Sequence, residues 1–148
     1  MSITKEQITN VKGRGFLQNR GTECFSGRIV TVAGLFTPDN LHAIAECAEK
    51  FGNGKVIFTS RLAAEIVGIP FERIPEAEEF MAKRNLHFGG TGAKVRPLTA
   101  CKGTTCVYGN IGTQALAKVL FDRFYIGMGD ESFPINSRSV WADVPTAA

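Results

Sequence analysis

Two cysteines stand close together in Thr99-Ala-Cys-Lys-Gly-Thr-Thr-Cys-Val-Tyr-Gly109, with four residues between Cys101 and Cys106. The stretch between them is rich in Gly and Thr, and the basic run Lys94-Val-Arg96 lies just upstream. Thiolates are the usual protein ligands of iron–sulfur clusters, and a short turn lets two of them reach one cluster. A cubane cluster takes about four such ligands. The other two cysteines of the chain, Cys24 and Cys47, stand in no comparable setting and read as ordinary thiols, Cys47 beside an apolar helix face. Taken alone, the spacing of Cys101 and Cys106 suits buried thiols as well as metal ligands. His42 and His87 belong to no zinc or catalytic pattern.

The bulk of the chain narrows the function classes. It has 148 residues, 44% of them apolar, which is enough for one compact domain or two small ones. A formal charge of +3 is too small for a dedicated nucleic-acid binder. No apolar run reaches the ~18 residues of a membrane span. The start, Met1-Ser-Ile-Thr-Lys-Glu-Gln, lacks the apolar stretch of a secretory signal, so reduced thiols in the cytoplasm are expected.

Several elements must position the cysteines and the basic residues. Residues 1–24 are polar and Gly-rich and are expected to be irregular. Arg28-Ile-Val-Thr-Val-Ala33 is β-branched and reads as a strand. Thr37 can cap a helix that Pro38 and Asp39 favour, and Leu41, Ile44, Ala45, Ala48 and Phe51 recur at helical spacing. Gly52 ends it, and Asn53-Gly54 turns into a second strand, Lys55-Val-Ile-Phe-Thr59. A second helix is expected from about Pro75 to Lys83, with Ala77, Phe80 and Met81 facing inward, and a third from Thr113 to Tyr125, carrying Ala115, Leu116, Val119 and Leu120. Gly89-Gly-Thr-Gly92 lacks the Lys-Ser/Thr of a phosphate loop and reads as a flexible joint near an internal boundary. The strand–helix–strand–helix order is α+β and typical of half a ferredoxin-like fold.

Particular stretches resemble a known family. Phe25-Ser-Gly-Arg-Ile-Val, the helix ending Ala-Glu-Lys-Phe-Gly52, and Phe58-Thr-Ser-Arg61 are similar to the ferredoxin-like half-domain of sulfite and nitrite reductases. Gly89-Gly-Thr-Gly-Ala-Lys-Val-Arg96, the cysteine segment and Asp122-Arg-Phe-Tyr125 resemble the start of their sirohaem/[4Fe-4S] α/β domain. One departure is the cysteine spacing, which in many members has five intervening residues rather than four. The resemblance implies a half-domain over residues 1–88 and a partial cofactor domain over 89–132. It implies a six-electron reduction of sulfite to sulfide or of nitrite to ammonia, with electrons from a donor protein or domain. By motif match, Arg61 and Arg96 would face the small anionic substrate and the macrocycle, and Arg28 a sirohaem carboxylate. Lys94 and Lys102 would add positive potential, and Cys101 and Cys106 would be the first pair of cluster ligands. A guanidinium suits such work because it stays charged and binds oxyanions through two donors.

Family members place a second cysteine pair shortly after the third helix, and here no cysteine follows Cys106. The tail, Phe133-Pro-Ile-Asn-Ser-Arg-Ser-Val-Trp-Ala-Asp-Val-Pro-Thr-Ala-Ala148, is aperiodic and resembles no part of the family. Back-translated with suitable codons and read one base over, it yields Leu-Pro-His-Lys-Phe-Lys-Ile-Gly-Val-Gly-Gly-Cys-Pro-Asn-Ser-Cys, the family's next segment with its cysteine pair. A one-nucleotide shift between about Tyr125 and Phe133 is therefore expected, leaving a chain that folds around its first half and holds no intact cofactor. The alternative is a small iron–sulfur or metal-binding electron-transfer module, in which a homodimer or partner brings the missing thiols.

Overall fold

The computed structural model describes residues 3–126 and the pair Val140–Trp141. The chain opens with helix α1, Lys5–Gly13, capped by Thr4, whose hydroxyl accepts from the Gln7 N–H while the Gln7 side chain accepts from the Thr4 N–H. Strands β1 (Phe16–Gln18) and β2 (Cys24–Val30) follow, then helix α2 (Pro38–Phe51), β3 (Val56–Phe58) and β4 (Ala64–Pro70). Helix α3 spans Ile74–Ala82 and the short strand β5 spans His87–Phe88. Strand β6 (Thr99–Ala100), a 3-10 turn at Gly103–Thr105 and helix α4 (Thr113–Phe121) complete the part that bears the cysteines. A π-helical turn, Asp122–Ile126, extends α4, and β7 (Val140–Trp141) pairs in parallel with β6. The rest of the expected frame-shifted tail lies outside the described residues.

The main sheet runs β1-β2-β4-β3 with β5 also on β2, every pairing antiparallel. One face carries the core: Phe16, Phe25, Ile29, Ile66 and Ile69 pack with Ile44, Cys47 and Ala48 of α2 and with Ile74, Ala77 and Met81 of α3. Burying each large aliphatic or aromatic side chain contributes about 1.5–3 kcal/mol. Gly27 sits where no side chain fits, because a Cβ there would stand 2.6 Å from the Phe88 ring and 2.9 Å from the Phe16 ring. Those two rings, 4.6 Å apart, close over β2 and tie β1 and β5 to it. The other face carries Ser26 and Arg28 of β2 and Glu65 of β4, all half-buried.

The α+β architecture is the expected one, and several elements differ from the sequence reading. Residues 1–24 are not irregular, since α1 and β1 lie there. The first strand begins at Cys24 and ends at Val30, and β4, central to the sheet, lies in a stretch where no strand was expected. On α2 the buried positions are Ala43, Ile44, Cys47, Ala48 and Phe51, while Leu41 and Ala45 are exposed. On α4 only Thr113 and Ala117 are buried; Ala115, Leu116 and Val119 face outward. Gly89–Gly92 is no free joint, because the Gly89 N–H donates to the Arg28 carbonyl and the fully buried Thr91 donates its hydroxyl to the Lys12 carbonyl. Among the described residues no helix is long and apolar enough to cross a membrane.

Candidate functional site

Arg28 and Glu65 are direct partners across the β2–β4 ladder, so the register places their side chains together on the sheet face opposite the core. Arg28 Nε donates to Glu65 Oε1 at 2.7 Å, and Arg28 Nη2 lies 2.6 Å from the same oxygen. The third side of the guanidinium is used as well, since Nη1 donates to the Gly90 carbonyl at 3.1 Å. Arg96 reaches the same carbonyl through its Nη1, at a longer 3.4 Å. Two guanidiniums distant in sequence therefore converge on one backbone oxygen.

Tyr125 fixes the segment that carries Arg96, donating its hydroxyl to the carbonyls of Val95 and Arg96. Burial pushes the Tyr125 phenol well above its usual range, while the charges of Arg28 and Arg96 pull the other way. It is a neutral donor at physiological pH. Lys94 lines a cavity of about 640 Å³ together with Phe88, Gly89, Gly90, Phe121 and Tyr125.

Arg61 occupies the turn between β3 and β4. The Thr59 hydroxyl holds that turn, accepting the N–H groups of Arg61 (3.3 Å) and Ala63 (3.4 Å). Beside it, Leu62 adopts a φ of 55° and packs against Gly34, where an added Cβ would come within 2.7 Å of the Leu62 Cβ.

The thiols flank one tight turn. Cys101 leaves β6, the 3-10 turn follows, and the Cys106 N–H donates to the Gly103 carbonyl at 2.8 Å. Cys101 Sγ accepts the Gly103 N–H at 3.4 Å and lies 3.5 Å from Thr113 Oγ1. The Cys101 carbonyl is held twice from the start of α4, by Thr113 Oγ1 (2.8 Å) and Gln114 Nε2 (3.0 Å). Both cysteines are half-buried, and Lys102, between them, is exposed. Ala100 packs with Ala33 and Ala117 in a second small core. The loop at residues 31–34 thus lies near both turns: Ala33 shares a small core with Ala100, and a Cβ added at Gly34 would meet Leu62.

This arrangement offers an anion fixed cationic donors on a rigid strand and a short loop. It also presents two cysteines that flank one turn. A cubane takes about four protein ligands. Among the described residues no group of three or more His, Cys, Asp or Glu could hold a metal ion. Among the described residues these two thiols do not complete a cluster site. Neither Glu65 nor the Tyr125 hydroxyl stands out in the sequence. Glu65 lay in an unrecognised strand, and only knowledge of the register reveals that it faces Arg28.

Comparison with known proteins bears on the fold that carries these residues. The nitrite/sulfite reductase ferredoxin-like half domain matches residues 16–84. An uncharacterized protein of Methanocaldococcus jannaschii is 33% identical over 103 residues, covering 69% of this chain and 37% of that protein. The chain thus spans little more than a third of this curated relative. Among solved structures, the Mycobacterium tuberculosis NirA protein superposes with a TM-score of 0.74 at 14% identity, covering 97% of this chain and 30% of the other. Dissimilatory sulfite reductase I superposes with a TM-score of 0.62 at 21% identity, covering 69% of this chain and 24% of the other. At those identities the two structures speak for the fold. Residues 16–84 thus match the nitrite/sulfite reductase ferredoxin-like half domain, within a fold that the chain shares with these two structures.

Proposed function

We propose that this chain is part of a sulfite or nitrite reductase, and that the open end of its sheet binds a small oxyanion and an anionic macrocycle. The observation that carries this reading is the convergence of Arg28 and Arg96 on the Gly90 carbonyl. Two half-buried guanidiniums held at one point form an anion subsite whose geometry is set before any ligand arrives. In this reading Arg96 meets the oxyanion, Arg28 and Arg61 meet macrocycle carboxylates, and Lys94 and Lys102 raise the local potential. Sirohaem and a [4Fe-4S] cluster would supply the redox chemistry, with electrons from a donor protein or domain. Cys101 and Cys106 would contribute one pair of cluster ligands. The fused fastening of their turn to α4 suits that role, because a rigid ligand pair loses less entropy on metal binding.

We further propose that the second thiol pair is encoded one base out of frame beyond Tyr125. Two comparisons test these readings together. Sequencing the gene through the tail should reveal the cysteine-bearing frame; its absence ends the frame-shift reading. Anaerobic reconstitution with iron, sulfide and sirohaem, followed by visible spectroscopy, should give stable cofactor bands for a chain carrying the shifted frame and weak or transient ones for this chain. Stable bands in this chain would show that it binds the cofactors without the second pair. No bands in either would remove the cofactor reading itself.

A further inference from the structure

We propose that Glu65 determines which anion the Arg28–Arg96 subsite prefers, by cancelling the charge of Arg28 and leaving Arg96 as the uncompensated guanidinium. The inference rests on the reading above that an oxyanion meets Arg96. The observations are local. Glu65 touches Arg28 through one oxygen with two guanidinium nitrogens at 2.7 and 2.6 Å, and the side chains are only 16% and 11% exposed. Solvent screening of such a pair is weak. Arg96 has no carboxylate partner among the described residues, and its contact with the Gly90 carbonyl is long. At this carbonyl two guanidiniums and one carboxylate sum to a single positive charge. A singly charged ligand such as nitrite or a carboxylate neutralises that sum, whereas a dianion leaves an excess of negative charge. Replacing the carboxylate with a neutral group would double the positive charge and move the preference toward dianions. Lys94 adds a constant background, so the ratio of two affinities, rather than either one, reports the effect.

The test is a titration of the full chain at low ionic strength with sodium nitrite and with sodium sulfate. Binding is followed by NMR at the amides of residues 89–96, and folding is checked by thermal unfolding. Glu65→Gln should raise affinity for sulfate relative to nitrite by about fivefold, and added salt should shrink that gain. Arg28→Gln should shift the same ratio the opposite way by a similar factor, so either variant tests the idea if the other fails to fold. The double variant Arg28→Gln/Glu65→Gln should restore the original ratio, and Glu65→Asp, which keeps the charge but alters the reach, should leave it unchanged. A purely structural Glu65 would give neither the opposite shifts nor the restoration. If Arg96→Gln abolishes binding of both anions while the ratio stays the same in Glu65→Gln and Arg28→Gln, the charge-setting role is overturned and the anion subsite stands. If anion binding is absent, or indifferent to Arg96→Gln, the subsite itself is overturned and Glu65's role with it.

Discussion

Cys47 and Cys101 carry the same side chain into opposite circumstances. Cys47 is fully buried among the core residues of α2, and desolvation pushes its thiol up to about 12, although Arg84 pulls the other way. Its folded value lies above the ordinary 9.0, so the folded state keeps a proton that the unfolded chain gives up. The stability this contributes is fully present below about pH 9 and is lost as the pH rises toward about 12. Urea unfolding should therefore show the native chain losing roughly 2 kcal/mol relative to Cys47→Ala between pH 8 and pH 11. Equal alkaline slopes for the two chains would contradict it. A thiol reagent added at neutral pH should label Cys24, Cys101 and Cys106 in the folded protein and reach Cys47 only after denaturation, because only Cys47 is fully closed to solvent.

The turn between the thiols depends on one backbone conformation. Gly103 has a φ of 59°, and a Cβ there would stand 2.7 Å from Thr113 Oγ1 and 3.0 Å from the Ile111 carbonyl. Gly103→Ala should cost about 1–3 kcal/mol and free the Thr113 clamp on the Cys101 carbonyl, raising the labelling rate of Cys101. Stability and labelling that match the native chain would show that the turn adapts without loss. At the N-terminus of α2 the Thr37 hydroxyl accepts the Asn40 N–H, so Thr37→Ala should lower the midpoint of urea unfolding by a stability loss of about 1 kcal/mol. That helix was legible because its cap, its proline and its period all agree. Its buried stripe is rotated from the expected one, since Leu41 and Ala45 suit the period but are exposed while Ala43 and Cys47 are buried. Strand β4 was not legible, because Ala64, Glu65 and Gly68 are poor strand formers and its structure comes from pairing with β2 and β3 on both sides. Helix α1 carried a usable signal, Thr4 followed three residues later by Gln7, beneath a polar, Gly-rich composition that reads as irregular. A two-residue strand such as β5 has no period to read.

For the whole molecule, packing runs across the Gly89–Gly92 segment, which the sequence reads as a flexible joint. Leu86 is buried in the main core, β5 pairs with β2, and Thr91 is tied to the end of α1. Ala33 joins Ala100 and Ala117 on the far side of the segment. The candidate site is a product of this fastening. Cys101, Cys106, Arg28 and Arg96 were visible as residues, but the convergence of Arg28 and Arg96 on Gly90 depends on long-range contacts that no local pattern encodes. Beyond the fastened segment the surface changes character, with Val107 93% exposed, Tyr108 72% and Val119 64%. Proteases cut where a few residues can leave the surface without breaking core contacts. Phe88 is paired in β5 and packed on the Phe16 ring, whereas Tyr108 stands in an exposed loop after the thiol turn. Brief chymotrypsin treatment of the native chain should accordingly cut after Tyr108 well before Phe88, leaving a fragment that still contains residues 89–106. Early cutting at Phe88 would mean that the Gly-rich stretch opens as a joint after all, and that Arg28 and Arg96 meet only part of the time.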